Sequence, residues 1–118
     1  MLVAMSELLG RAKAEGYGVP AISAANEVTL RASIEAAEKA QSPVIILTGY
    51  YMTDGVNYFT RLIEDFARMA SVPVSAMWDH SSNFKESVRG IRAGFNSIMV
   101  DRSSLPYAEN VSQVKEMV

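Results

Sequence analysis

The chain has no cysteine, one histidine and one tryptophan in 118 residues. Without thiols there are no disulfides, no cysteine-ligated zinc and no thiol chemistry, a usage that fits a reducing cytoplasm. No apolar stretch approaches the roughly 20 residues that a bilayer span needs, so no membrane association is expected. The first residues lack the charged start and cleavage site of a secretory signal. Basic residues are not in excess: 11 Lys and Arg stand against 13 Asp and Glu, a net charge of −2, and nucleic acid is not indicated as a partner. Also missing are a Gly-x-Gly-x-x-Gly fingerprint and a Gly-Lys-Ser/Thr phosphate loop, which argues against dinucleotide and P-loop folds.

What remains is an ordinary globular composition, 49% hydrophobic and 20% charged, in a length that suits one domain with its own core. Ser6 is the expected cap of a short first helix, Glu7 to Glu15, which Gly16-Tyr17-Gly18 ends. Val19 to Ile22 reads as a short strand. Asn26 then caps a helix whose apolar stripe is Leu30, Ile34 and Ala37. Val44-Ile45-Ile46-Leu47 is a continuous apolar run, the pattern of a strand buried on both faces. A polar loop from Thr48 to Asn57 leads to a helix marked by Phe59, Leu62, Ile63, Phe66 and Ala70.

The third strand is expected over Val72 to Trp78. Asn83 and Glu86 have capping-box spacing ahead of a helix with a predicted core stripe of Phe84, Val88, Ile91 and Phe95, stopped by Gly94. The fourth strand is Ser97 to Val100. A last helix places Val111, Val114 and Val118 on one face. A leading helix followed by four strand-helix pairs predicts parallel strands with right-handed crossovers. Two architectures satisfy that order: a four-stranded doubly wound sheet, or (βα)4, half of an eight-stranded (β/α)8 TIM barrel.

Two of these strands stop at acids. Val72 to Trp78 runs into Asp79-His80, which contains the only histidine, and Ser97 to Val100 runs into Asp101. Parallel α/β sheets do their chemistry outside the carboxyl ends of their strands. An aspartate there often only caps the next helix, and a lone histidine is more often structural than a ligand. Two neighbouring strands that both end this way point instead to a site.

Three stretches carry a family resemblance: Ser42-Pro43-Val44-Ile45-Ile46, Ser71-Val72-Pro73-Val74 leading to Asp79-His80, and Arg89-Gly90-Ile91-Arg92-Ala93-Gly94-Phe95-Asn96-Ser97-Ile98-Met99-Val100-Asp101. With Leu105-Pro106-Tyr107 and Glu109-Asn110-Val111, they resemble the class II, zinc-dependent ketose-bisphosphate aldolases along the whole chain. The resemblance implies a TIM barrel of which residues 1–118 are the N-terminal half, breaking off in the fourth crossover helix. It implies zinc as cofactor and a phosphorylated ketose as substrate, cleaved reversibly to dihydroxyacetone phosphate and an aldehyde. By the same resemblance His80 is a zinc ligand, Asp79 exchanges the proton of the C4 hydroxyl, and Asp101 helps hold a second metal position. The residue types suit the reaction, which needs a base at C4 and a Lewis acid for the enediolate.

Departures from the family pattern are specific. Ser81 follows the Asp-His pair in place of Gly or His. Asp101-Arg102-Ser103 replaces Asp-Gly-Ser, and Leu47-Thr48-Gly49 lacks the serine expected near position 49. Ile22-Ser23 stands where the family has Phe-Asn. A catalytic zinc takes about three protein ligands, and one histidine does not supply them. The chain is therefore expected to need a homo-oligomer or the complementary C-terminal half. A shortened regulatory or assembly paralogue of a full-length aldolase is the second reading. A small-molecule domain lined by Tyr50 and Tyr51 is the third.

Overall fold

The computed structural model describes all residues 1–118. Helix α1 (Met5–Glu15) leads into β1 (Ala21–Ser23), α2 (Glu27–Lys39), β2 (Val44–Gly49) and α3 (Val56–Met69). Then come β3 (Val74–Ser81), α4 (Phe84–Ala93), β4 (Ser97–Val100) and α5 (Tyr107–Met117). The strands form one parallel sheet in sequential order β1-β2-β3-β4. This is the half-barrel arrangement, an α/β fold of four parallel strands alternating with helices.

Local chemistry explains most boundaries. Asn26 makes the full capping box, accepting from the Thr29 N–H at 3.0 Å while the Thr29 hydroxyl accepts from the Asn26 N–H at 3.3 Å. Asn83 supplies only half of one: its side chain accepts from Glu86 N–H at 3.0 Å. Gly16 and Gly94 close α1 and α4 at φ of 75° and 107°, values that few residues with a Cβ adopt. Ser6 does not cap α1. The helix begins two residues earlier than expected, at Met5 after Ala4, with no side-chain cap, and Ser6 lies inside it.

Alternation along the strands builds two layers. Val44 and Ile46 of β2, with Val74, Ala76 and Trp78 of β3, face α2 and α3, where Leu30, Ile34, Phe59, Ile63 and Ala67 meet them. Most of these side chains are fully buried, and each Leu- or Ile-sized one contributes about 1.5–3 kcal/mol. On the other face Ile45 packs with Val3 and Leu8, and Leu47 and Met77 are only half-buried beside them. Asn96 ties the entry ends of β3 and β4 to the N-terminal segment. Its amide donates to the Val3 carbonyl at 2.6 Å and accepts from Ser75 Oγ and Ala76 N–H, both at 3.1 Å.

The core face of α4 differs from the expected stripe. Phe84 and Ile91 are exposed, and the buried residues are Ser87 and Gly90. The indole of Trp78 fills the space under this helix: a Cβ added at Gly90 would lie 2.5 Å from Trp78 Cγ. Only small residues fit there, so the helix is turned by about one position. α5 buries none of its residues, and Val118 is exposed. No helix is long and apolar enough to cross a membrane.

Candidate active site

All four strands run in one direction, so their carboxyl ends form a single rim. Gly49 of β2 lies in register with Asp79 of β3, and β3 continues beside β4 to pair Ser81 with Val100. Asp79 and His80 thus belong to the last turn of pleat in β3, which extends through Ser81, three residues past its expected end.

The pairing of β3 with β4 is irregular. Trp78 pairs with Ile98 but Ser81 pairs with Val100, so β3 spends one more residue than β4 over this stretch. That is a β-bulge, and His80 occupies it at φ 51°, in the left-handed region. The bulge lets Asp79 and His80 differ sharply in exposure: Asp79 is buried, whereas the His80 side chain is 48% exposed. Backbone strain of this sort concentrates at functional sites.

Asp101 meets the turned-out imidazole. Its Oδ2 lies 2.8 Å from His80 Nδ1, and its Oδ1 accepts from the Ser103 hydroxyl at 2.6 Å and the Ser103 N–H at 3.0 Å. The Asp101 N–H donates to the Ser81 carbonyl at 3.0 Å, and the Arg102 guanidinium donates to the Ser82 carbonyl. The end of β4 is in this way laced to the end of β3. Hydrogen bonds from Ser103 and then His80 hold the Asp101 carboxyl well below the usual aspartate range. The bond to Asp101, with the nearby Asp79 charge, raises His80 above the usual imidazole value.

The three site residues expected from the sequence therefore stand together. His80 Nε2 is 3.8 Å from Asp79 Oδ2, on the opposite side of the ring from Asp101. With Nδ1 engaged by a carboxylate, Nε2 is the nitrogen left to serve as a ligand, an arrangement common behind metal-bound imidazoles. One ligand is what these residues offer. No group of three or more His, Cys, Asp or Glu side chains is placed to hold a metal ion.

Tyr51, which the sequence offered only as pocket lining, reaches the same carboxylate. Its hydroxyl donates to Asp79 Oδ2 at 3.2 Å, and its ring stands edge-on to His80 at 6.4 Å between centroids. Burial, followed by the Asp79 charge, raises the Tyr51 phenol. The largest surface groove, about 660 Å³, lies elsewhere, between the start of α3 and α4, among Tyr58, Phe84, Val88 and Arg89. Asp79, His80 and Asp101 line no groove, and the site is an open rim.

The family model for class-II fructose-bisphosphate aldolase matches residues 3–118. The chain belongs to this family. It is 40% identical over its full length to a fructose-bisphosphate aldolase from Thermus caldophilus, of which it covers 39%. Among solved structures it superimposes on the YdjI aldolase of Escherichia coli K12 with a TM-score of 0.93 and 31% identity, covering 47% of that chain. A putative fructose-1,6-bisphosphate aldolase from Coccidioides immitis gives 0.88 and 32%, with 97% of this chain matched to 41% of that one. The chain spans less than half the length of these relatives.

Proposed function

We propose that this aldolase-family chain supplies the aspartate-histidine half of a site for reversible aldol cleavage of a ketose bisphosphate. The observation that carries the reading is the end of β3: a buried Asp79 beside a bulged His80 whose Nδ1 is held by Asp101. In this reading residues 1–118 are the N-terminal half of a barrel. The remaining ligands and the phosphate-binding loops come from a complementary half or from an oligomer, and the assembly works in the cytoplasm.

His80 fits zinc as a single neutral ligand through Nε2, with Asp101 fixing its tautomer and ring plane. Because both oxygens of Asp101 are already engaged, by His80 and by Ser103, orienting His80 suits this carboxylate better than holding a second metal position. When bound, zinc supplies Lewis-acid stabilisation of the enediolate formed on the dihydroxyacetone phosphate side. Asp79 takes the proton of the C4 hydroxyl as the C3–C4 bond breaks, and returns it in the condensation direction.

Mixing the chain with the C-terminal half of a related aldolase, zinc and fructose or tagatose bisphosphate tests the reading. Release of dihydroxyacetone phosphate is expected from the mixture and from neither part alone. One feature favours the second reading, a regulatory or assembly paralogue. Arg102 places a guanidinium against the Ser82 carbonyl, at the position where the family keeps glycine. A mixture that associates tightly yet never cleaves would support that reading.

A further inference from the structure

We propose that Tyr51 is a positioning residue for the Asp79 carboxylate, occupying through its ring the space that a side chain at position 49 would otherwise take. The proposal rests on the reading of Asp79 as the proton-exchanging group. Asp79 is buried, and the Tyr51 hydroxyl is the one hydrogen-bond donor to its side chain. A buried carboxylate with no donor at all is costly. The Tyr51 bond also takes up Oδ2 and leaves Oδ1 without a protein partner, free for a substrate hydroxyl.

The loop geometry explains how the ring gets there. The Met52 N–H donates to the Gly49 carbonyl at 2.9 Å, a turn that folds Tyr51 back over the end of β2. A Cβ on residue 49 would sit 2.6 Å from a Tyr51 ring carbon and 2.8 Å from the Asp79 carbonyl oxygen. Glycine at 49 and tyrosine at 51 therefore go together. Tyr50 braces the ring edge-on at 5.6 Å, and His80 faces it on the site side. The absent serine near position 49 is in this account a replacement. The side chain that reaches Asp79 from this end of β2 is a half-exposed aromatic at the rim.

Tyr51→Phe, which keeps the ring and removes the donor, tests this in two arms. In the isolated chain, three-bond couplings to the Asp79 carboxyl carbon should report one rotamer in the wild type and an average of rotamers in Tyr51→Phe, with backbone shifts elsewhere unchanged. In the complemented, cleaving protein, kcat should fall about 10-fold while KM stays within about twofold, since misplacing a reacting group costs turnover more than binding. A fixed Asp79 rotamer in both proteins overturns the proposal. So does a cleaving protein in which Tyr51→Phe leaves kcat unchanged. If wild-type mixtures never cleave, the reading of Asp79 fails, and the rotamer arm still decides the Tyr51 contact.

Discussion

His80 and Asp101, 21 residues apart in sequence, meet at 2.8 Å because β3 carries one more residue than β4 just before both strands end. Without the bulge the alternation of a strand would send His80 to the face opposite Asp79 in regular register. With it, the buried carboxylate and the half-exposed imidazole stand at one rim, and a second carboxylate fixes the ring. The arrangement leaves one oriented imidazole nitrogen beside one sheltered carboxylate.

As the only histidine, His80 gives a single imidazole resonance, and its titration reports the Asp101 bond. The wild-type midpoint is expected above the ordinary 6.5, and Asp101→Asn should lower it. The direction of the stability effect follows. The raised His80 contributes fully below 6.5 and loses its contribution as pH rises through the folded-state value. The lowered Asp101 contributes fully above 3.8 and loses its contribution as pH falls through its own. Stability from this pair should be greatest between those two ordinary values, and Asp101→Asn should flatten the profile there. Thermal melts across pH check it.

The left-handed backbone at His80 predicts an order among substitutions. Asn tolerates this region and β-branched residues do not. Both substitutions lose the imidazole bond to Asp101, so the backbone shows in their difference: His80→Val should melt below His80→Asn by about 5 °C or more. Equal melting temperatures for the two would mean that the bulge relaxes freely.

Gly90→Ala sets helix propensity against packing. Alanine favours a helix interior by about 1 kcal/mol over glycine. Its Cβ would nevertheless stand 2.5 Å from the buried Trp78 indole. Overpacking is expected to win, with a net loss of about 1–2 kcal/mol in urea unfolding.

This same contact shows where sequence reading stops. The runs Val44 to Leu47 and Val72 to Trp78 were legible as strands because largely apolar runs of that length fit a sheet covered on both faces, although the second strand starts two residues later, at Val74. The acids after the third and fourth strands pointed to one rim, where Asp79, His80 and Asp101 stand together, and the family motifs pointed to the half-barrel. The face of α4 was legible only at its end: of the stripe Phe84, Val88, Ile91 and Phe95, Phe95 is buried against Trp78, but within the helix that indole decides which neighbouring stripe lies down. The bulge was not legible, since no single residue type marks it; neither His80 nor Ser81 signals an irregular pairing until β4 is alongside. Tyr51 was visible only as an aromatic in a loop, and the turn from Gly49 to Met52 was needed to bring it to Asp79.

The open sheet makes self-association an expected property. β1 and β4 each leave one edge unpaired, and Ile22 on β1 is 41% exposed. Light scattering of the isolated chain should give a mass above one protomer at micromolar concentration. Adding a complementary half should convert that species to a one-to-one complex. A monomer that persists at high concentration would contradict the pairing.

The measurement closest to the central claim separates the roles of two adjacent residues. In the complemented protein, Asp79→Ala should keep bound zinc and lose cleavage of the ketose bisphosphate, because its proposed task is the proton at C4. His80→Ala should lose the zinc itself, and cleavage with it. Zinc retained by His80→Ala, or cleavage unchanged in either variant of an active assembly, would contradict the assignment of the β3 end as the reacting half of the site.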